Sequence, residues 1–159
     1  MGDVVHPVGA FVERSRGEKS EWCSLERALD VLGNRSTFLV LREAFYGARR
    51  FDAFTRGTGL TEASVAKRVR ELVAAGLLTR QDYREPGERT RQEYVLTASG
   101  RALFPAFVAL LRWGDEFRDD QPVVELSHAG CGAPVDAVVR CSHGHDVALD
   151  QVEARVRAS

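Results

Sequence analysis

Apolar positions along the first half of the chain recur every three or four residues, the period of a helix with one buried face. Ser24–Leu32 carries Leu25, Ala28, Leu29 and Leu32 on one face; Ser24 is placed to cap this helix, and Gly33-Asn34 ends it. Ser36–Tyr46 is apolar on nearly every side, which predicts a central buried helix stopped by Gly47. Arg49, Arg50 and Phe51 read as a short strand or extended link. Asp52–Arg56 reads as a short third helix, with Phe51 and Phe54 pointing inward. The turn Gly57-Thr58-Gly59 leads to the stretch Leu60–Gly76. There Thr61 is a good N-cap, Leu60 and Val65 are spaced as a hydrophobic staple, and Gly76 stands where a C′ glycine would. Val65, Val69 and Leu72 make its apolar face. Ser64, Lys67, Arg68 and Arg70 lie off that stripe or at its edge. Helix, glycine-containing turn, helix is helix-turn-helix order.

The period then changes. Leu77–Tyr83 and Arg91–Thr97 read as two strands around the turn signal Pro86-Gly87, a β-hairpin with arginines at its tip and the layout of a wing. Thr97 caps a predicted long helix from Ala98 to about Arg118. Its stripe of Leu103, Phe104, Phe107, Leu110, Leu111, Trp113 and Phe117 is wide enough to predict a homodimer interface, with packing inside the monomer as the alternative. Residues 1–21 have weak periodicity and read as an arm that packs on a partner subunit. Beyond Pro122, the pairs Val123-Val124 and Val138-Val139 suggest two short strands. The expected fold is mainly α with a small β wing: a winged helix-turn-helix plus a small C-terminal β-rich appendage. The expected division is an arm at 1–22, the DNA-binding and dimerisation domain at 23–120, and the appendage at 121–159.

Charge sharpens this picture. The whole chain is nearly neutral at −1, yet residues 42–112 hold 13 basic against 8 acidic residues, while residues 113–159 hold 4 against 9. A basic middle on an otherwise acidic chain is the electrostatic footprint of a nucleic-acid face. Hydrophobic residues make up 44% of the sequence, enough for a core, and no apolar run is long enough to cross a bilayer. The N-terminus lacks the layout of a signal peptide, so a cytoplasmic location is expected. Cys23, Cys131 and Cys141 make no disulfide framework in such a compartment.

Four stretches, CSLERALDVLG, LVLREAFYGARRFDAF, GLTEASVAKRVRELVAAGLLTR and EYVLTASGRALFPAFVALLRW, resemble the HxlR-type winged helix-turn-helix regulators, relatives of the MarR family. The resemblance covers residues 23–117, about three-fifths of the chain. It implies a dimeric bacterial regulator of transcription whose N-terminal and long C-terminal helices build the dimer and whose wing touches the minor groove of double-stranded DNA. The chain departs from the family where Arg35-Ser36 replaces a usual Lys-Trp pair, and where Ser24 and Ala98 replace usual prolines.

The candidate DNA surface is Ser64, Lys67, Arg68 and Arg70 on the fourth helix, with Arg50, Arg84, Arg89 and Arg91 nearby. Lys and Arg there would mostly neutralise phosphates, and one could read guanine; Arg68 could instead form an internal ion pair. Cys23 precedes the first helix. Some family members sense oxidants or electrophiles with a cysteine at this position, which makes it a candidate sensor alongside a small-molecule effector; a structural cysteine is the alternative. In the tail, His128, Cys131, Cys141, His143 and His145 cluster as two short ligand pairs. That donor set suits a structural zinc, and relatives with a Cys-rich tail resemble a zinc ribbon; here Gly144 stands where a second Cys of the pair would be expected. The alternative is a metal-free tail. No nucleophile elbow, phosphate loop or paired-carboxylate arrangement is present, so no enzyme is expected. The functional expectation is a regulator, in the main a repressor acting by occupancy. The alternative from another class is a zinc-stabilised protein-interaction module.

Overall fold

The computed structural model describes residues 4–11, 23–84, 87, 90–118 and 121–155. The chain divides into two compact units, residues 20–107 and residues 1–19 with 108–159. The boundary falls inside the last helix, ahead of the composition change near residue 120.

The first unit opens with α1, Ser24–Leu32. Ser24 is its first helical residue and not its cap. Cys23 holds the N-cap position without a side-chain hydrogen bond there, and the Ser24 hydroxyl instead accepts from Arg27 at 3.2 Å. α2 runs from Arg35 to Phe45, one residue earlier at each end than the periodicity suggests. The reason is Asn34, whose side-chain oxygen accepts from the Ser36 N–H at 2.8 Å and so starts the helix at Arg35. α3 spans Phe51–Thr58, longer than expected. Arg49 and Arg50 form no strand; Arg50 is the extended N-cap residue, and the Arg49 carbonyl accepts a single bond from the Tyr94 N–H. α4 spans Glu62–Ala74, and the Thr61 hydroxyl accepts from the Ser64 N–H at 3.3 Å. Gly76 follows with φ of 71°, the left-handed geometry of a C′ glycine.

The core of this unit lies between these helices and the base of the hairpin. Val40 and Leu41 of α2, Phe54 of α3, and Val65, Val69 and Leu72 of α4 are buried together with Leu77 and Leu78. Each such side chain contributes about 1.5–3 kcal/mol on leaving water. Phe38 packs against the same cluster from beside the half-buried Ser36. Thr37 is buried in α2, and its hydroxyl has no hydrogen-bond partner among the described residues.

The hairpin pairs β2, Leu78–Tyr83, with β3, Arg91–Leu96, in antiparallel register from Leu78 opposite Leu96 to Tyr83 opposite Arg91. Thr97 pins its base. Its hydroxyl donates to the Gly76 carbonyl at 2.6 Å and accepts from the Gly100 N–H at 3.0 Å. Gly100 lies so close to the strand that a Cβ there would sit 2.2 Å from the Leu77 carbonyl oxygen. The predicted long helix is broken in two, α5 at Ala98–Ala102 and α6 at Phe104–Phe117. Phe107 turns inward, with its ring centroid 5.1 Å from Phe45 and 5.9 Å from Tyr46, so it belongs to this chain's own packing and not to a free dimer face.

In the second unit, His6–Pro7 (β1) pairs in parallel with Glu153–Ala154 (β4). The described part of the N-terminal arm is thus bound to the C-terminal end of its own chain. The expected strands at Val123-Val124 and Val138-Val139 do not form. The tail is instead two tight turns, each closed by one bridge, Ser127 with Pro134 and Arg140 with Asp146. Exposed valines without a facing sheet have nothing to alternate against.

Two substitutions test this packing. Thr37→Val removes an unpaired buried hydroxyl and keeps the side-chain shape, so it raises stability by about 1–2 kcal/mol. Gly100→Ala forces the hairpin base apart and lowers stability by about 1–3 kcal/mol. Urea unfolding of both variants reads the two signs; a destabilised Thr37→Val or a neutral Gly100→Ala contradicts the account.

Candidate nucleic-acid interface

Burial of Val65, Val69 and Leu72 decides which face of α4 meets solvent. Ala63, Lys67, Arg70 and Ala74 are exposed and spaced four, three and four apart, one stripe, and Glu62 and Glu71 are exposed on either side of it. Two basic side chains therefore stand between two methyl-sized ones. The small residues were not singled out in the sequence, although the same periodicity places them. Ser64 is half-buried and engaged in the cap: its hydroxyl accepts from Thr61 at 3.0 Å. Arg68 is not on the stripe. Its side chain is only 17% exposed and pairs with Glu71 at 2.6 Å, the internal ion pair that was the alternative at this position.

The wing adds further cations. Arg50 lies over the Tyr83 ring at 4.8 Å, a cation–π contact that ties the start of α3 to the outer end of β2. Arg80 lies over the ring of its cross-strand partner Tyr94 at 5.9 Å. Arg84 and Arg91 sit at the outer strand ends, both exposed; Arg89 lies outside the described residues. Arg42, Arg49 and Arg56 of the unit pair with carboxylates. Arg49 meets Glu93 at 3.4 Å and Arg42 meets Glu43 at 2.6 Å. Arg56 donates to Asp52 at 2.5 Å, and this hydrogen bond holds the Asp52 carboxyl below its usual value. Cations thus stand at the outer end of the hairpin and, separately, on the exposed side of α4.

Residues 31–122 match the HxlR-like helix-turn-helix family. The chain belongs to that family. An uncharacterized HTH-type transcriptional regulator of Mycobacterium tuberculosis is 43% identical over 122 residues, covering 76% of each chain. Among solved structures, PA1607, described as a candidate transcription factor, is 34% identical with a TM-score of 0.76, over 91% of this chain and all of that one. The redox regulator HypR in its reduced form is 31% identical with a TM-score of 0.54, over 61% of this chain and 95% of that one. This HxlR-like chain is accordingly a winged helix-turn-helix regulator of transcription, of a DNA-binding family. No described helix is long and apolar enough to cross a membrane.

Two other candidate sites were expected from the sequence. Cys23 is a half-buried free thiol at the N-cap of α1, where its carbonyl accepts from the Arg27 N–H. In the tail, His128 Nδ1 and Cys131 Sγ come within 3.2 Å. Cys141 and His145 are joined through their backbones in the second turn. Gly144, between them, has φ of 85°, a conformation that disfavours a ligating side chain at that position. Among the described residues no group of three or more His, Cys, Asp or Glu side chains is gathered as a metal site. His143, His145 and Cys141 do not join His128 and Cys131, so the donors present do not fit a four-ligand structural zinc. The ion pair of Arg140 with Asp146 at 2.7 Å supports the second turn instead. Chelator treatment is therefore expected to leave the thermal unfolding profile unchanged; a midpoint that falls with chelator and recovers with zinc would show that metal holds the tail.

Proposed function

We propose that this HxlR-like protein is a homodimeric repressor that binds an inverted-repeat operator and releases it in response to a thiol-reactive or small-molecule signal. The observation that carries the reading is the exposed stripe Ala63, Lys67, Arg70 and Ala74 on a helix whose opposite face is locked in the core. A helix entering a major groove needs small residues for close approach and cations for phosphates and guanine edges. Arg50, Arg84 and Arg91 extend that charge toward the wing, whose tip would follow the adjacent backbone. Two such helices in a dimer would sit about 34 Å apart, one turn of DNA. Repression follows from occupancy, since a promoter covered by the dimer excludes polymerase. The location consistent with this role is the cytoplasm.

Support for the dimer comes from apolar side chains left exposed. Leu25 and Leu29 on α1 are 66% and 51% exposed, and Leu110, Trp113 and Phe117 on α6 are 54%, 51% and 61% exposed. Both sets lie at helical spacing, as two stripes would. Support for a thiol signal comes from the free Cys23 and from similarity to HypR and to the reduced form of the Bacillus subtilis regulator YodB. A thiol at the entry to a helix could be oxidised where the helix starts, altering how α1 packs.

Fluorescence titrations with operator fragments, selected by the purified protein from genomic DNA, test the reading. Lys67→Ala and Arg70→Ala should each weaken binding by about 1–3 kcal/mol if they read a base, or lower the salt slope by about one unit if they meet phosphate. Arg68→Ala should do neither. Unchanged affinity and slope in both stripe variants would remove α4 from the interface. Diamide should release DNA from the wild type and not from Cys23→Ser. Trp113→Glu should give monomers by light scattering; a persistent dimer would place the interface elsewhere.

A further inference from the structure

We infer that the cleft between α6 and residues 136–138 binds an organic cation with an aromatic body. The cleft holds about 650 Å³, within the range of sites for drug-sized ligands. α6 lines one side with Arg112, Trp113, Asp115, Glu116 and Phe117, and Val138 of the tail lines the other. Trp113 and Phe117 form a ring pair, their centroids 6.1 Å apart. The charges of the lining are unequal, with Asp115, Glu116 and Asp136 against Arg112 alone. Arg112 donates to Asp136 at 2.7 Å, so these two neutralise each other. Asp115 and Glu116 have no ion-pair partner among the described residues, and the cleft keeps their negative charge.

A ring pair beside unpaired carboxylates selects a ligand that has both a positive charge and an apolar surface. The faces of the rings attract a cation, and the carboxylates attract the same charge. Trp113 already receives one: the Arg118 guanidinium stands over its ring at 5.5 Å. Both of these side chains are exposed, and a contact in water is weaker than one made by a desolvated ligand. A bare metal ion does not suit this lining. Among the described residues no three His, Cys, Asp or Glu side chains are gathered as its ligands. An organic anion of the same shape would meet the charge of Asp115 and Glu116. The Arg112–Asp136 pair spans the cleft, so a ligand held there bears on the join between α6 and the tail.

The test is an NMR titration of the full-length protein with naphthylmethyl-trimethylammonium, naphthalenesulfonate and tetramethylammonium as probes. No DNA is present, so the result is independent of the operator reading. Trp113 and Phe117 also carry the dimer reading, so neither is changed, and light scattering follows the oligomeric state; a monomer that binds the probe would count against the dimer alone. The aromatic ammonium should shift the Trp113 indole N–H and the amides of Glu116 and Val138 saturably. The sulfonate, with the ring and the opposite charge, and tetramethylammonium, with the charge and no ring, should each bind at least ten-fold more weakly. Glu116→Gln and Asp115→Asn together should weaken the aromatic ammonium at least ten-fold while keeping the wild-type unfolding midpoint. Unsaturable or scattered shifts, equal binding of either control probe, or full binding by the folded double variant would each overturn the proposal. The comparison of probes on the wild type decides the matter even if the variant fails to fold.

Discussion

The structure depends on the burial of one face of α4. Val65, Val69 and Leu72 are sealed against Val40, Leu41 and Phe54. Their loss from water supplies several kcal/mol, far more than any surface ion pair of the unit, since exposed pairs contribute about 0–1 kcal/mol. With that face fixed, rotation of the helix about its axis is not available. Ala63, Lys67 and Arg70 are outward because the valines are inward. The cap at Thr61 sets where the helix begins, and so which residues form its first exposed turn.

The hairpin is held to the same core at its base and through Tyr94. Leu77 and Leu78 are buried, and Thr97 and Gly100 close the base through backbone contacts with Gly76 and Leu77. Beyond Leu78, the residues of β2 from Thr79 to Asp82 are exposed. Positions there are set by register and by arginine–ring contacts, notably Arg50 on Tyr83.

Much of this was legible in the sequence, and the reasons differ by element. α4, its cap and its glycine stop followed from period and capping chemistry, because the helix is short, amphipathic and marked at both ends. The hairpin followed from the change of period and the Pro86-Gly87 signal. The break at Leu103 was marked by Pro105, whose missing N–H cannot bond the Arg101 carbonyl and which sits in the first turn of α6, but the continuous apolar stripe hid it. The inward turn of Phe107 was hidden because a stripe does not say whether its partner is in the same chain. The pairing of Arg68 with Glu71 was open because residues three apart can always meet, and only burial decides. In the tail, ligand spacing suggested convergence, but spacing does not place two turns in space. The pairing of His6–Pro7 with Glu153–Ala154 carried no signal in so short a segment.

The central claim is that the outward stripe of α4 reads the major groove. Methylation interference measures this directly, because a methyl group on guanine N7 blocks that groove and leaves the phosphates unchanged. The account predicts interference at guanines in two clusters about one helical turn apart, roughly 34 Å, with the clusters weakened in Arg70→Ala. Binding indifferent to N7 methylation across the whole site would contradict it.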